Sequence, residues 1–426
     1  MILDKIKNSL NGGGRKKSAS DNLVVALDIG TDFVKTLIAR IDGDEITVIG
    51  TGRAKQGLSD MHSGAIADIA GVVSNCEKAL TEAEAQAGMQ AKRVIIGIAG
   101  ELVKGLTNTI RYKRPQPDKP LDMKEMEFII EKVQERAQAK AQKQIAWETG
   151  NDDVEIKLVN SAIVSIHIDG YKVSNPVGFQ GRDVAIQIYT AFAPMVHIGA
   201  LERTASELDL DLLAVAAEPF AVSRSVLGVD ANSTFTAILA DVGGGTTDIA
   251  VVNDGGVEGT KMFGIGGRSF TRTIANDMDV SFEDAEKLKL AVDDDKLKPS
   301  ARKDIEKALD KTLAVWLDGV ELALSEFDAI DHLPNRILLC GGGASLEKLM
   351  DILKTENWWK DLPFSRQPSV HRITPDQAAG IIDESGKVND HTFVTALGLL
   401  RVGYDTIIGM STENAIKEAF NRILRV

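Results

Sequence analysis

Two stretches of this chain repeat one hydrophobic pattern. Residues 23–52 read LVVALDIGTDFVKTLIARIDGDEITVIGTG, and residues 235–267 read FTAILADVGGGTTDIAVVNDGGVEGTKMFGIGG. In each, an apolar run ends in Asp, then Gly and Thr, before a second apolar run, a tight Gly turn and a third strand-like run. Short Val/Ile/Leu runs bounded by Gly, Asp and Asn predict antiparallel strands. The chain therefore reads as two related halves, each opening with a three-stranded meander. Helical spacing predicts helices between the meanders. One covers 64–87, with Ile66, Ile69, Val73, Ala79 and Leu80. Another covers 121–146, with Met123, Met126, Ile130, Val133 and Ala137. Residues 194–208 and 216–227 also read as helices, as does most of 281–329, with loops at 293–299. Helices alternating with strand clusters predict an α/β architecture. Residues 94–195 read as an inserted α+β unit: a buried strand, RVIIGIAG, then a helix, then strand-like runs at 154–168 and 183–192.

Composition narrows the function classes. The chain has 426 residues and a net charge of −13, which disfavours nucleic acid as a partner. Two cysteines cannot staple a fold of this size and form no metal-binding spacing, so a reducing compartment is expected. No apolar run reaches the ~18 residues that suggest a membrane span. Glycine is in excess, 38 against 11 prolines, and it clusters where the chemistry is expected.

The densest cluster is Asp241-Val242-Gly243-Gly244-Gly245-Thr246-Thr247-Asp248. Consecutive glycines let the backbone approach an anion, and successive N–H groups form a concave anion site. The hydroxyls of Thr246 and Thr247 add donors. An Asp at a strand end can hold Mg²⁺ through its water shell. Asp28-Ile29-Gly30-Thr31 offers the same chemistry from the other half, so the two turns can grip a polyphosphate between them. A third cluster, Gly341-Gly342-Gly343, follows an apolar strand and precedes a helix. It can admit a flat base, or a phosphate at the helix N-terminus. Neither a GxxxxGK[ST] phosphate loop nor a GxGxxG dinucleotide fingerprint is formed here.

Two Asp-Gly-Thr turns half a chain apart, followed by a GGG platform, resemble the actin/sugar-kinase/heat-shock-chaperone ATPase superfamily. Within it the chain is most similar to the FtsA-like bacterial division proteins. The resemblance rests on GLSDMHSGAIADI (57–69), RVIIGIAGELVKG, DGYKVSNPVGFQGRDVAIQIYTAFA (169–193) and HTFVTALGLLRVG (391–403). It implies two duplicated actin-like, ribonuclease-H-like domains around a nucleotide cleft, with a small inserted subdomain. It also implies ATP and Mg²⁺ as cofactors. Asp28 and Asp241 would serve the metal, and Glu218 of AAEPF would position the metal and the attacking water. Glu286 and Lys289 would approach the ribose and base. Slow ATP hydrolysis linked to assembly fits this group.

The implied boundaries are a leader at 1–20, a first domain at 21–93 and 196–234, and the insertion at 94–195. A second domain follows at 235–375, with a helical subdomain near 268–330. Residues 376–410 return to the first domain, and 411–426 form a C-terminal amphipathic helix. Ile416, Phe420, Ile423 and Leu424 share one face of that helix, with Lys417, Arg422 and Arg425 beside it. The leader groups Ile2, Leu3, Ile6 and Leu10 with lysines. Basic amphipathic helices bind anionic membrane surfaces. The implied role is self-assembly into filaments on the inner face of the cytoplasmic membrane at the division site. There the chain would tether the tubulin-like protein FtsZ and meet other division proteins through the insertion. A PilM-like pilus platform protein shares this fold and is the first alternative. A small-molecule kinase is the second, but no catalytic base Asp or closed substrate pocket can be assigned for it.

Overall fold

The computed structural model describes residues 22–227, 234–292, 297–327, 330–355 and 357–410. The expected leader and the C-terminal helix at 411–426 lie outside the described residues.

Leu23–Ile29 (β1), Phe33–Asp42 (β2) and Glu45–Lys55 (β3) form the first antiparallel meander. A two-residue hairpin, Met61–His62 (β4) with Ala65–Ile66 (β5), precedes helix Ile69–Ala87 (α1). Ile66 therefore sits in the hairpin and not in the expected helix. The helix starts after Asp68, whose carboxylate accepts the N–H of Ala70. Its buried face, including Val72, Cys76 and Ala79, lies on β3 at very short range. A Cβ on Gly52 would stand 1.8 Å from the Ala79 carbonyl oxygen, so only glycine permits this approach.

Arg93–Ile98 (β6) pairs in parallel with β1, which corrects the expected boundary at residue 94. This strand belongs to the first half's sheet, and the chain leaves that sheet after it. The next element is a strand, Lys104–Lys113 (β7), and not a helix. Helix Met123–Thr149 (α2) follows, then Ile156–Ile168 (β8), Tyr171–Lys172 (β9) and Asp183–Pro194 (β10). One face of α2, with Met126, Ile129 and Val133, packs on Ile110, Ile163 and Ile186. Helix Met195–Glu207 (α3), strand Asp211–Ala217 (β11) and helix Glu218–Leu227 (α4) complete the first half's return. The expected helix at 216–227 thus begins two residues later, where β11 ends.

The second half repeats the plan. Ala237–Val242 (β12), Thr247–Asn253 (β13) and Gly256–Phe263 (β14) form its meander. Helices Gly267–Met278 (α5), Phe282–Leu290 (α6) and Pro299–Ser325 (α7) follow. Then come Arg336–Cys340 (β15), helix Glu347–Thr355 (α8) and Ser369–Arg372 (β16). Ile381–Asp383 (β17) returns to the edge of the first sheet beside β3, and Val394–Met410 (α9) packs against α4 and β1.

The first sheet runs β11-β6-β1-β2-β3-β17 and the second β16-β15-β12-β13-β14-β7-β10-β8-β9. The five strands β11-β6-β1-β2-β3 and β16-β15-β12-β13-β14 have the same order and the same parallel and antiparallel pairings. The duplication read from the sequence is thus a duplication of topology. The inserted strands do not form a separate sheet. They extend the second half's sheet through β7, where Gly259 and Thr260 of β14 pair with Leu106 and Gly105. The junction needs glycine, because a Cβ on Gly105 would lie 1.9 Å from the Thr260 Oγ1.

Candidate functional site

β1 and β12 point their C-terminal ends at one cavity of about 780 Å³ between the two halves. The related strands carry Asp28 and Asp241 into it from opposite sides. Gly30, Thr31, Gly243, Gly244 and Thr246 line it at the two turns, and Gly341, Gly342 and Gly343 line it at the platform. Glu218, Glu286 and Lys289 complete the set of expected residues that reach it. Gly245 and Thr247 are not in its wall.

Gly245 instead packs against Thr31, since a Cβ there would meet the Thr31 Oγ1 at 2.7 Å. Thr247 corrects an expectation. It is fully buried, its hydroxyl donates to the Ile265 carbonyl at 2.7 Å, and it accepts the Trp316 indole N–H at 2.9 Å. The reason is strand alternation: adjacent Thr246 and Thr247 point to opposite faces, and only one can meet the cleft. Gly244 lines the cavity but has no free space beside it. Its Cβ would meet the Asp32 Oδ2 at 2.6 Å, so Gly244 is a contact between the two halves.

The floor of the cavity holds four buried carboxylates. Asp28, Glu218, Asp241 and Asp248 are 3 %, 8 %, 6 % and 2 % exposed. Among the described residues one ammonium faces them: Lys35 on β2, whose Nζ lies 2.8 Å from the Asp28 Oδ2. Burial disfavours the Lys35 charge, but Asp28, with Asp241 and Glu218 behind it, outweighs burial and raises its pKa. Burial drives Glu218 well above the usual carboxyl range, and the charges of Asp28, Asp248 and Asp241 add to it. Asp241 is raised by burial against the hydroxyl of Thr395, which donates to its Oδ2. Asp248, directly opposite Asp241 on β13, is raised strongly by burial and then by Asp241. Its Oδ2 accepts the Thr246 hydroxyl at 3.0 Å, while its Oδ1 has no hydrogen-bond partner among the described residues.

An excess of buried carboxylate over cation, with one orphaned oxygen, is what a site for an added positive charge provides. Among the described residues no three His, Cys, Asp or Glu side chains converge as direct metal ligands. An ion here would rest mainly on water and on ligand oxygens, the coordination that Mg²⁺ favours.

Above the floor, the loop Gly243–Gly245 is fixed from outside. Gly243 N–H donates to the Thr246 carbonyl at 2.9 Å and closes the turn. The first N–H groups of α5, from Gly267 and Arg268, donate to the Gly243 and Gly244 carbonyls at 2.9 and 2.8 Å. Lys289 of α6 donates to the Gly267 carbonyl at 3.0 Å and pairs with Glu286 at 2.8 Å. Thr271 donates its hydroxyl to Glu286. Glu286 and Lys289 therefore form one wall tied to the same helix end. At the platform, Gly341 has φ +79°, a left-handed conformation that favours glycine. Gly342 has open space where a Cβ would project.

Lys35, Asp32, Arg268 and Thr395 also belong to the site, although no sequence motif marks them, and Asp248 gains its role only from its position opposite Asp241. Lys35 had a signal short of a motif: a lysine among apolar residues in FVKTLI, in register with Asp28. Arg268, Asp32 and Thr395 had none, because their partners lie far away along the chain.

Three comparisons bear on this geometry. The family model described as cell division protein FtsA matches residues 238–398. The cell division protein FtsA of Enterococcus hirae is 26% identical over 356 residues, covering 78% of this chain and 76% of that one. The FtsA of Buchnera aphidicola subsp. Acyrthosiphon pisum is 21% identical over 443 residues, covering 96% and 97%. Among solved structures, a chain of the PilM-PilN type IV pilus biogenesis complex superposes with a TM-score of 0.64 at 16% identity, covering 89% of this chain and 98% of that one. That last likeness is one of fold.

Proposed function

We propose that this chain, an FtsA-like protein of the actin-like ATPase superfamily, binds ATP with Mg²⁺ in the cleft between its halves and uses it to assemble on a membrane during bacterial cell division. The observation that carries this reading is the convergence of both Asp-Gly turns and the Gly341–Gly343 platform on one cavity of about 780 Å³. That volume lies in the range typical of small-molecule sites. The sequence relatives named above are division proteins, whereas the pilus protein shares only the fold, so division is the favoured role.

In this reading the two turns hold the phosphates and the platform holds the base. Asp28 and Asp241 would carry the Mg²⁺ through its water shell. A bound Mg²⁺ neutralises phosphate charge and offsets the buried carboxylates. Glu218 orients a water toward the terminal phosphate, and burial together with its acidic neighbours favours the protonated form of its carboxyl until a cation enters the site. The ends at 1–20 and 411–426 supply membrane affinity by apolar burial and basic charge. Filaments would multiply that weak affinity through avidity, and their outer surface would tether the tubulin-like polymer FtsZ. Among the described residues no helix is long and apolar enough to cross a membrane.

The test is equilibrium ATP binding with and without Mg²⁺, followed by co-pelleting with anionic liposomes and FtsZ polymer. Expected are Mg²⁺-dependent ATP binding and ATP-dependent recruitment of polymer to the liposomes. Absence of ATP binding would refute the cleft assignment. Binding of ATP without recruitment of polymer would refute the tethering role.

A further inference from the structure

We propose that Arg268 is a positioning residue: it clamps the first half's phosphate turn onto the second half and sets how long a nucleotide stays in the cleft. This rests on the ATP reading above and adds a determinant of nucleotide lifetime. Arg268 belongs to the first turn of α5 in the second half, yet the acceptors of its side chain all lie in the first half. Its Nε donates to the Asp32 Oδ1 at 2.5 Å, and its Nη2 to the Thr31 carbonyl at 2.6 Å. Nη1 reaches the Leu58 carbonyl at 3.2 Å, and Nη2 also reaches the Gly57 carbonyl at 3.4 Å. The planar guanidinium suits this task, because its donors can serve several acceptors at once. Arg268 is 8 % exposed, so salt screens its ion pair with Asp32 weakly.

The packing around the clamp has the same direction. Gly244 sits against the Asp32 carboxylate and Gly245 against the Thr31 side chain, both at distances that exclude a Cβ. The two phosphate turns are thus seated on each other, with Arg268 spanning the seam. Thr31, Asp32, Gly57, Leu58 and Arg268 all line the cavity. Separating the halves at this seam requires breaking the Arg268 contacts together. A polyphosphate held between the turns is released only when they part, so clamp strength should appear mainly in the dissociation rate.

The experiment measures dissociation of a fluorescent ATP analogue, chased with excess ATP, in the full chain carrying Arg268→Gln, Arg268→Lys, Asp32→Asn or Arg268→Gln with Asp32→Asn. A second readout is the distance distribution between spin labels at Lys55→Cys and Glu283→Cys, two exposed positions on the cavity wall. Arg268→Gln is expected to speed dissociation by about tenfold and broaden the distance distribution, with little change in association. Arg268→Lys should recover part of the lifetime. Asp32→Asn should act in the same direction, and the double variant should fall short of the sum of the singles. Unchanged dissociation and an unchanged distance distribution in Arg268→Gln, with wild type binding ATP, would overturn the clamp. If wild type does not bind the analogue, the ATP reading fails, and the distance measurement still decides the clamp. If Arg268→Gln does not fold, Asp32→Asn decides by the same two criteria.

Discussion

Lys35 stands directly across the β1–β2 pair from Asp28, and its ammonium, 2.8 Å from the Asp28 carboxylate, is among the described residues the one cation within a floor of four buried acids. The register of a single hairpin thus sets the charge balance of the cleft. Removing Lys35 leaves the acids without their counter-charge. Lys35→Met should lower unfolding free energy by about 3–5 kcal/mol, the usual penalty for breaking a buried pair from one side. Lys35→Met with Asp28→Asn should recover most of it. Urea denaturation at neutral pH measures both, and added Mg²⁺ should narrow the deficit of the single variant. Equal stability of wild type and Lys35→Met would show that the pair does not hold the floor together.

Glu218 carries a pH dependence whose sign can be worked out. Unfolded, it titrates near its ordinary value of 4.5; folded, it keeps its proton to a much higher pH because of burial and its acidic neighbours. The native state then binds more protons than the unfolded state, so stability falls as pH rises through that window. Its contribution is complete only below about pH 4.5. Glu218→Gln should raise the melting temperature of the ligand-free protein at pH 8 by roughly 2–4 °C and flatten its decline with pH. The same variant should keep ATP affinity while losing most hydrolysis. Parallel pH profiles for variant and wild type would exclude Glu218 as the source of the slope.

Gly342 and Gly244 separate ligand space from packing. A Cβ at Gly342 meets open space, so Gly342→Val should fold as wild type yet bind ATP roughly tenfold or more weakly. Gly244→Val forces its side chain into Asp32 and should lose both stability and binding. Calorimetric titration together with thermal melts distinguishes the two. Full ATP affinity in Gly342→Val would move the base away from the platform.

Thr247 should behave as a structural residue. Thr247→Val keeps the shape but strands the Trp316 indole N–H, an unsatisfied buried donor that costs about 1–3 kcal/mol. ATP affinity per folded molecule should be unchanged. A selective loss of affinity, with stability intact, would return Thr247 to the site.

The repeated run-Asp-Gly-Thr pattern was enough to establish the duplication, the two meanders and most of the cleft, because strand period and turn chemistry are local properties. The local pattern also placed Asp28, Gly30, Asp241 and Gly243 at strand ends. It could not separate Thr246 from Thr247, since that depends on which face of β13 meets the cleft and which meets Trp316. Nor could it place β6 in the first sheet, because a lone buried strand carries no mark of its neighbours. The insertion's union with the second sheet depends on Gly105 meeting Thr260, a contact between residues far apart in sequence. Arg268 looked like an ordinary residue at a helix start. Only folding brings it to Asp32 and Thr31 across the seam, where the cost of burying its charge is met by acceptors that the chain supplies more than two hundred residues away.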